Sequence, residues 1–257
     1  KTNKLHLTHS NDGVLTPFKS FNATLGMNLG DKMLEGDLKT PEGIYDFLFR
    51  SLPSTGLKPI FGVMAIYISY PNVMDKMGHK TGFDILLHGT DNPERLNNKY
   101  DSKGCVVLAN NEVEEVWPNI TLKNTRVIIT RDFEEIANPP RREKLKEFLD
   151  AWVKAWSEKR LDDYIDAYSD EFTYDKMNRV DFRAYKEKLN KAYEKIAIQA
   201  NNRQYYFHEK YDVVTFDQTY ESTLAGGKPG FSLHGKKNLY VQMRNGHYKI
   251  IAEELVK

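Results

Sequence analysis

Residues 85–108 read ILLHGTDNPERLNNKYDSKGCVVL. The apolar run Ile85-Leu86-Leu87 ends on His88. After a polar stretch, Ser102-Lys103-Gly104-Cys105 runs into a second apolar run, Val106-Val107-Leu108. The pattern predicts two core strands, each with a chemically active side chain at its polar junction, where a rigid scaffold holds such a group firmly. Cys105 is the one cysteine of the chain, so no internal disulfide forms. Such a residue is either a small buried hydrophobe or a nucleophile. A thiol becomes a strong nucleophile when an imidazole takes its proton, and His88 is the best-placed histidine. Their pairing is expected to raise the thiolate fraction. Gly104 leaves room for a carbonyl, and the N–H groups of Gly104 and Cys105 are expected to stabilise an oxyanion.

Upstream, Leu5–His9, the Asp12-Gly13 turn and Val14–Phe21 read as strand, turn and strand, since glycine accepts positive φ in a tight turn. Met33–Leu38 and Gly43–Phe49 are short apolar segments. Phe61–Ser69 and Phe83–Leu87 read as central strands and Arg126–Thr130 as a closing one, with a short helix at Asn111–Trp117. The character of the chain changes at Asn138-Pro139-Pro140, which predicts a domain boundary there, with domains at 1–138 and 139–257. Beyond it, Leu145, Phe148, Leu149, Trp152 and Trp156 form an apolar stripe at the helical period. Leu161, Tyr164, Ile165 and Tyr168 continue into a second helix. Asp181 is expected to cap a third, whose inner face carries Phe182, Tyr185, Leu189, Tyr193 and Ile196. Alternation in Val214, Phe216, Gln218 and Tyr220, and again in Leu239, Val241 and Met243, predicts strands. Asn245-Gly246 predicts the hairpin turn between Asn238–Arg244 and His247–Leu255. The fold class is therefore a mostly β domain with short helices, followed by an α+β domain.

The 257 residues are 40% hydrophobic and 28% charged, enough to bury a core. Thirty-seven Lys and Arg against 36 Asp and Glu leave a net charge of +1, which gives no electrostatic case for nucleic acid or an anionic membrane. No apolar run approaches the ~20 residues of a membrane span. Lys1–His9 lacks a signal-peptide core, so a secretory leader is expected upstream. His6 and His9 have no further ligand cluster beside them, so no metal site is expected.

The motifs resemble a known family. His88-Gly89-Thr90 followed by Ser102-Lys103-Gly104-Cys105 is similar to the signature of the YkuD-type L,D-transpeptidase domain. Thr40-Pro41-Glu42-Gly43-Ile44-Tyr45, Tyr70-Pro71-Asn72 with Asp75, and Lys80-Thr81-Gly82 resemble further pieces of that family in the right order. The likeness spans Leu5 to Thr130. It implies a YkuD-like β-sandwich, Cys105 as nucleophile, His88 as base, a backbone role for Gly89, and Gly104, Ser102 and Lys103 at the oxyanion and substrate side. Neither metal nor organic cofactor is implied. Most members carry Arg two residues after the cysteine; here that position is Val107, which suggests a different acceptor or product preference.

The second domain resembles the cone-shaped nuclear transport factor two-like fold, through Asp150–Trp156, Tyr168-Ser169, Phe172 and Phe216–Ser222. Trp152, Trp156, Tyr164 and Tyr220 read as core or as the lining of a glycan or peptide pocket. The pairing resembles the cell-shape L,D-carboxypeptidases of helical Gram-negative bacteria, which trim peptidoglycan tetrapeptide stems to tripeptides. It implies a periplasmic location, stem peptides as partners, and a homodimer through an N-terminal segment missing here. Two rivals remain open: an L,D-transpeptidase, which differs only in its acceptor, and a non-catalytic cell-wall binding or scaffolding protein.

Overall fold

The computed structural model describes residues 3–256. Two compact units divide the chain. One holds Leu15–Glu134 and the strand segment before Asn11; the other holds Asn11–Val14 and the chain from Glu135 onward. Strands β1 (Lys4–Asn11), β2 (Val14–Asn22), β3 (Leu25–Gly26), β4 (Gly43–Ser51), β5 (Ala65–Ile68), β6 (Leu86–His88), β7 (Tyr100–Ser102), β8 (Val106–Val107) and β9 (Arg126–Ile129) come first, with helices α1 (Val73–Met77), α2 (Asn110–Val116) and α3 (Phe133–Ala137). The main sheet has the order β8-β6-β5-β4-β9, flanked by two-stranded sheets β1-β2 and β3-β7. Its pairs are antiparallel except β6-β8, which run parallel with Leu87 opposite Val106 and His88 opposite Val107.

Side chains alternate across a strand, and this period sorts the sheet into two faces. Tyr45, Phe47, Ile66, Ile68, Ile85 and Leu87 turn to one core, closed by Phe21, Leu108, and Val113 and Val116 of α2. Each fully buried aliphatic side chain there contributes about 1.5–3 kcal/mol, which makes the sheet a stiff platform. Leu86 and His88, one position out of phase, turn to the opposite face. Beyond β8, Thr24 and Val107 exchange two backbone hydrogen bonds of 2.9 Å as an isolated antiparallel bridge. Thr24 also donates its hydroxyl to the Asn98 carbonyl at 2.7 Å.

Several sequence expectations shift here. The strand expected over Phe61–Ser69 is confined to β5, because Pro59 opens a 3-10 turn at Pro59–Phe61 and Gly62 turns the chain at positive φ. The short apolar segment Met33–Leu38 is folded on itself by Asp37, which accepts hydrogen bonds from the Met33, Leu34 and Lys39 amides.

The second unit comprises α4 (Arg142–Ser157), α5 (Leu161–Asp166), the small hairpin β10 (Thr173–Tyr174) and β11 (Met177–Asn178), α6 (Arg179–Ala192), and a consecutive antiparallel sheet. Its strands are β12 (Lys195–Tyr206), β13 (Asp212–Leu224), β14 (Lys228–Arg244) and β15 (His247–Val256). The α4 stripe is buried at Leu145, Leu149, Trp152 and Trp156. Trp152 donates to the Tyr168 hydroxyl at 3.2 Å, and Tyr168 donates to Tyr164 at 2.7 Å, so these polar tips are satisfied inside the core. Asn245 and Gly246 both take positive φ and join β14 to β15, as the dipeptide predicts. The cap of α6 is Asn178, not Asp181: its side chain accepts from the Val180 and Asp181 amides, which leaves Asp181 in the first turn. Ile196 belongs to β12, and Met243, beside the hairpin turn, is 38% exposed. Among the described residues no helix is long and apolar enough to cross a membrane.

Candidate active site

His88 is the last residue of β6 and 3% exposed. Its Nδ1 lies 2.5 Å from the Gly89 carbonyl oxygen. A carbonyl only accepts, so Nδ1 must carry the proton, and the lone pair of the neutral ring sits on Nε2. Phe61 packs edge-on against the imidazole at 5.0 Å and blocks its rotation. The turn after His88 is clamped by Asn110 at the head of α2. The Asn110 Oδ1 accepts from the Thr90 amide at 3.0 Å, and its Nδ2 donates to the Thr90 carbonyl at 3.0 Å. A Cβ on Gly89 would meet that Oδ1 at 2.1 Å, so glycine is what lets the clamp close.

Cys105 directly precedes β8. In the parallel ladder His88 faces Val107, and the period of two puts Cys105 on the same face of the sheet as His88. The thiol is 3.7 Å from the Asp84 carbonyl and takes a further backbone hydrogen bond from Leu86. Among the described residues the imidazole is not one of its hydrogen-bond partners. Both groups are shifted away from charge. Burial pushes the thiol up to about 11, against the opposing help of the Leu86 amide and of the Arg95 and Lys32 cations. Burial also lowers His88 to about 4, against the Gly89 hydrogen bond that favours its charged form. At neutral pH the resting pair is therefore thiol and neutral imidazole, and the raised thiolate fraction expected from the sequence is not what this geometry gives.

The loop before the thiol is built around Ser102. Its buried hydroxyl donates to the Cys105 carbonyl at 2.7 Å and accepts from the Gly104 amide at 3.1 Å. The Gly104 N–H, expected to face an oxyanion, is thus already engaged; the Cys105 N–H has no acceptor among the described residues. Lys103 is exposed. Gly104 has φ +126°, and a Cβ there would sit 2.7 Å from the Lys39 carbonyl oxygen, a backbone atom that cannot swing aside. Gly104→Ala is expected to cost about 1–3 kcal/mol from backbone strain alone and to lower Tm by roughly 2–10 °C, as a thermal melt would read. An unchanged Tm would show that the loop absorbs the methyl group.

The remaining motif residues bond chiefly to one another. Asn72 caps α1 and shares reciprocal hydrogen bonds with Asp75. Lys80 bridges Asp75 and Asp31 at 2.7 Å each. Tyr70 donates to the Thr81 carbonyl at 3.0 Å, and Thr40 accepts from the Gly26 amide at 2.9 Å. Val107, fully buried, carries no charge where most of the resembled family has an arginine. Sequence reasoning missed Asn110, which follows the apolar run 106–109 at a helix start, a position that could have marked it as a clamp.

Residues 2–129 match the L,D-transpeptidase catalytic domain family, YkuD, and residues 144–254 match the Cds6 C-terminal NTF2-like domain. The chain is similar to Bd1075 of Bdellovibrio bacteriovorus, with 27% identity and a TM-score of 0.82 over 99% of this chain and 88% of that one. It is also similar to the helical cell shape determining protein Pgp2 of Campylobacter jejuni. A point mutant of Pgp2 aligns at 26% identity and a TM-score of 0.81, over 98% of this chain and 87% of that one. The unsubstituted Pgp2 aligns at 25% identity and 0.77, over 98% and 88%. A comparison with curated proteins gives no match.

Proposed function

Because residues 2–129 form a YkuD-type L,D-transpeptidase catalytic domain and residues 144–254 an NTF2-like domain, we propose that the chain is a peptidoglycan L,D-carboxypeptidase. It trims tetrapeptide stems to tripeptides in the periplasm and so contributes to cell shape, with the boundary between its two domains at 138/139. The observation that carries this reading is the His88 tautomer: Nδ1–H is fixed on the Gly89 carbonyl, and Nε2 is left as a base on the sheet face that also bears the chain's one thiol. The whole-length likeness to a cell shape determining protein supports the substrate class.

In this mechanism Cys105 Sγ attacks the carbonyl joining the D-centre of meso-diaminopimelate to the terminal D-alanine. The thiol proton passes to His88 Nε2 as the S–C bond forms, and the Cys105 N–H steadies the oxyanion. The C–N bond then breaks, and His88 returns the proton to the departing D-alanine amine. Water next attacks the thioester while His88 takes its proton, and the thiol is regenerated with a free diaminopimelate carboxylate. If a stem amine replaces water, the product is a cross-link and the same acyl-enzyme serves an L,D-transpeptidase. The test is incubation with disaccharide tetrapeptide and mass analysis of the products. Disaccharide tripeptide with free D-alanine supports the reading. Dimers joined between two diaminopimelates would instead mean transpeptidation, and an unchanged substrate would favour a binding role.

The pH dependence follows from the two shifts. His88 must be neutral to accept a proton, and its value lies below that of an ordinary imidazole, so the competent form persists down to about pH 4. The thiol keeps its proton up to about 11. The expected profile of kcat/KM is flat from about pH 5 to 9, and it falls tenfold per unit below about 4. Half-loss near 6.5, the ordinary imidazole value, would show that His88 is solvated in the working enzyme.

A further inference from the structure

The peptide group that fixes the His88 tautomer is itself held at its other end. Its carbonyl, that of Gly89, accepts from His88 Nδ1 at 2.5 Å, and its N–H, that of Thr90, donates to Asn110 Oδ1 at 3.0 Å. One planar unit therefore joins the imidazole to the side-chain amide. Hydrogen bonds in a chain polarise one another, so the Asn110 oxygen drawing on the N–H makes the carbonyl a better acceptor for the imidazole proton. The amide has one workable orientation. Oδ1 also accepts from the Val63 amide at 3.3 Å, and Nδ2 donates to the Thr90 carbonyl at 3.0 Å. A flip would set Nδ2 against two N–H groups and Oδ1 against a carbonyl oxygen.

The packing around Asn110 serves the same end. A Cβ on Gly62 would collide with its Oδ1, as one on Gly89 would, so two turns of the chain approach this one oxygen as closely as glycine backbone allows. The Gly62 turn carries Phe61, whose ring stands edge-on to the imidazole at 5.0 Å. One side chain thus ties down both the peptide that takes the Nδ1 proton and the segment that restrains the ring. Asn110 is the first residue of α2, whose Val113 and Val116 are anchored in the core of the sheet, so the amide stands on a fixed mount. A base that serves a nucleophile is commonly oriented by a third group hydrogen-bonded to its far nitrogen. Here an asparagine amide reaches that nitrogen through a peptide unit.

We infer that Asn110 is the positioning residue of the His88 base: through the Gly89–Thr90 peptide group it keeps the imidazole proton on Nδ1 and leaves Nε2 free to accept. Its kinetic consequence rests on the peptidase reading above. Without the amide, the peptide group is free to rotate away, the ring can carry its proton on Nε2 instead, and a ring in that state has no lone pair to offer the thiol.

Two measurements on the full chain test it. In the first, the ring nitrogens of the ¹⁵N-histidine-labelled protein are read by NMR near neutral pH, with His88 identified as the signal lost in His88→Gln. The wild type should show Nδ1–H alone. Asn110→Ala should show the Nε2–H tautomer as a major species. An Asn110→Ala protein that keeps Nδ1–H throughout overturns the inference, and so does a wild type that carries Nε2–H. Asn110→Asp covers the case in which the alanine variant fails to fold. It retains an acceptor for the Thr90 and Val63 amides and adds a negative charge, so Nδ1–H should persist while the midpoint of the imidazole titration climbs by about one pH unit. An unmoved midpoint in that variant overturns the inference, because the amide would then have no line to the ring. In the second measurement, D-alanine release from disaccharide tetrapeptide is followed. Asn110→Ala should lose roughly 10- to 100-fold in kcat, as for a misplaced reacting group, with KM nearly unchanged, and Asn110→Asp should recover part of the loss. A loss confined to KM overturns the inference. If the wild type releases no D-alanine, the peptidase reading has failed, and the tautomer spectra still decide whether Asn110 sets the imidazole proton.

Discussion

Cys105→Ala is expected to abolish the release of D-alanine from disaccharide tetrapeptide, a loss of at least ~10⁴-fold, as for removal of a covalent nucleophile. The chain has no second cysteine to take over. The fold should change little, since Cys105→Ala removes one sulfur atom from a loop ahead of β8, and with it only a weak 3.7 Å thiol contact to the Asp84 carbonyl. An unchanged Tm with no product is thus the expected pair of results. Cys105→Ser should fail almost as completely. The surroundings that push the thiol up to about 11 penalise an alkoxide still more, and an alcohol starts from a far weaker acid. Release of D-alanine by the alanine variant would sink the mechanism outright.

His88→Ala is expected to cost at least ~10²-fold in kcat, the usual range for a general base. The pH dependence should change form as well. Without the imidazole, attack must wait for the thiol to ionise on its own. The rate should then climb about tenfold per pH unit through the range where the wild type is flat, because the thiol's value lies near 11. Removing a side chain this buried also opens a cavity and strips the Gly89 carbonyl of its donor, which costs about 1–3 kcal/mol. His88→Gln separates these effects. It retains an amide donor for Gly89 and fills most of the space, yet offers no base, so its Tm should recover while its rate does not. A glutamine variant with near wild-type kcat would assign the proton transfer to some other group.

The placement of His88 and Cys105 at strand junctions was legible in the sequence because each closes or opens an apolar run, and because a glycine precedes the thiol. The β strands around them were legible for the same reason: alternation is a property of neighbours along the chain. The chemical state of the site was not. It depends on how tightly Leu86, Asp84 and Phe61 close around two polar groups, which no local pattern encodes. The Gly104 amide was assigned to an oxyanion because a Gly-Cys pair suggests one; the hydroxyl two residues earlier takes it instead. Asn178 displaced Asp181 as helix cap for a similar reason. Both are competent caps, and the β10-β11 hairpin, two residues per strand, was too short to announce that the chain had already turned. In the second unit the α4 stripe and the Asn245-Gly246 turn were readable, since helical period and paired positive φ are strong local demands.

The reciprocal bridge between Thr24 and Val107 has a kinetic meaning. Val107 is held on one flank by the ladder with β6 and on the other by Thr24, itself tied to Asn98. Two residues earlier the restraint falls to a serine hydroxyl and a glycine that has no side chain to lock. Local opening draws on the weakest unit available. Local opening is therefore expected to begin at the thiol-bearing turn, held by one serine hydroxyl, before it reaches Val107, held on both flanks. Faster amide hydrogen exchange at 103–105 than at 106–107 would show that gradient.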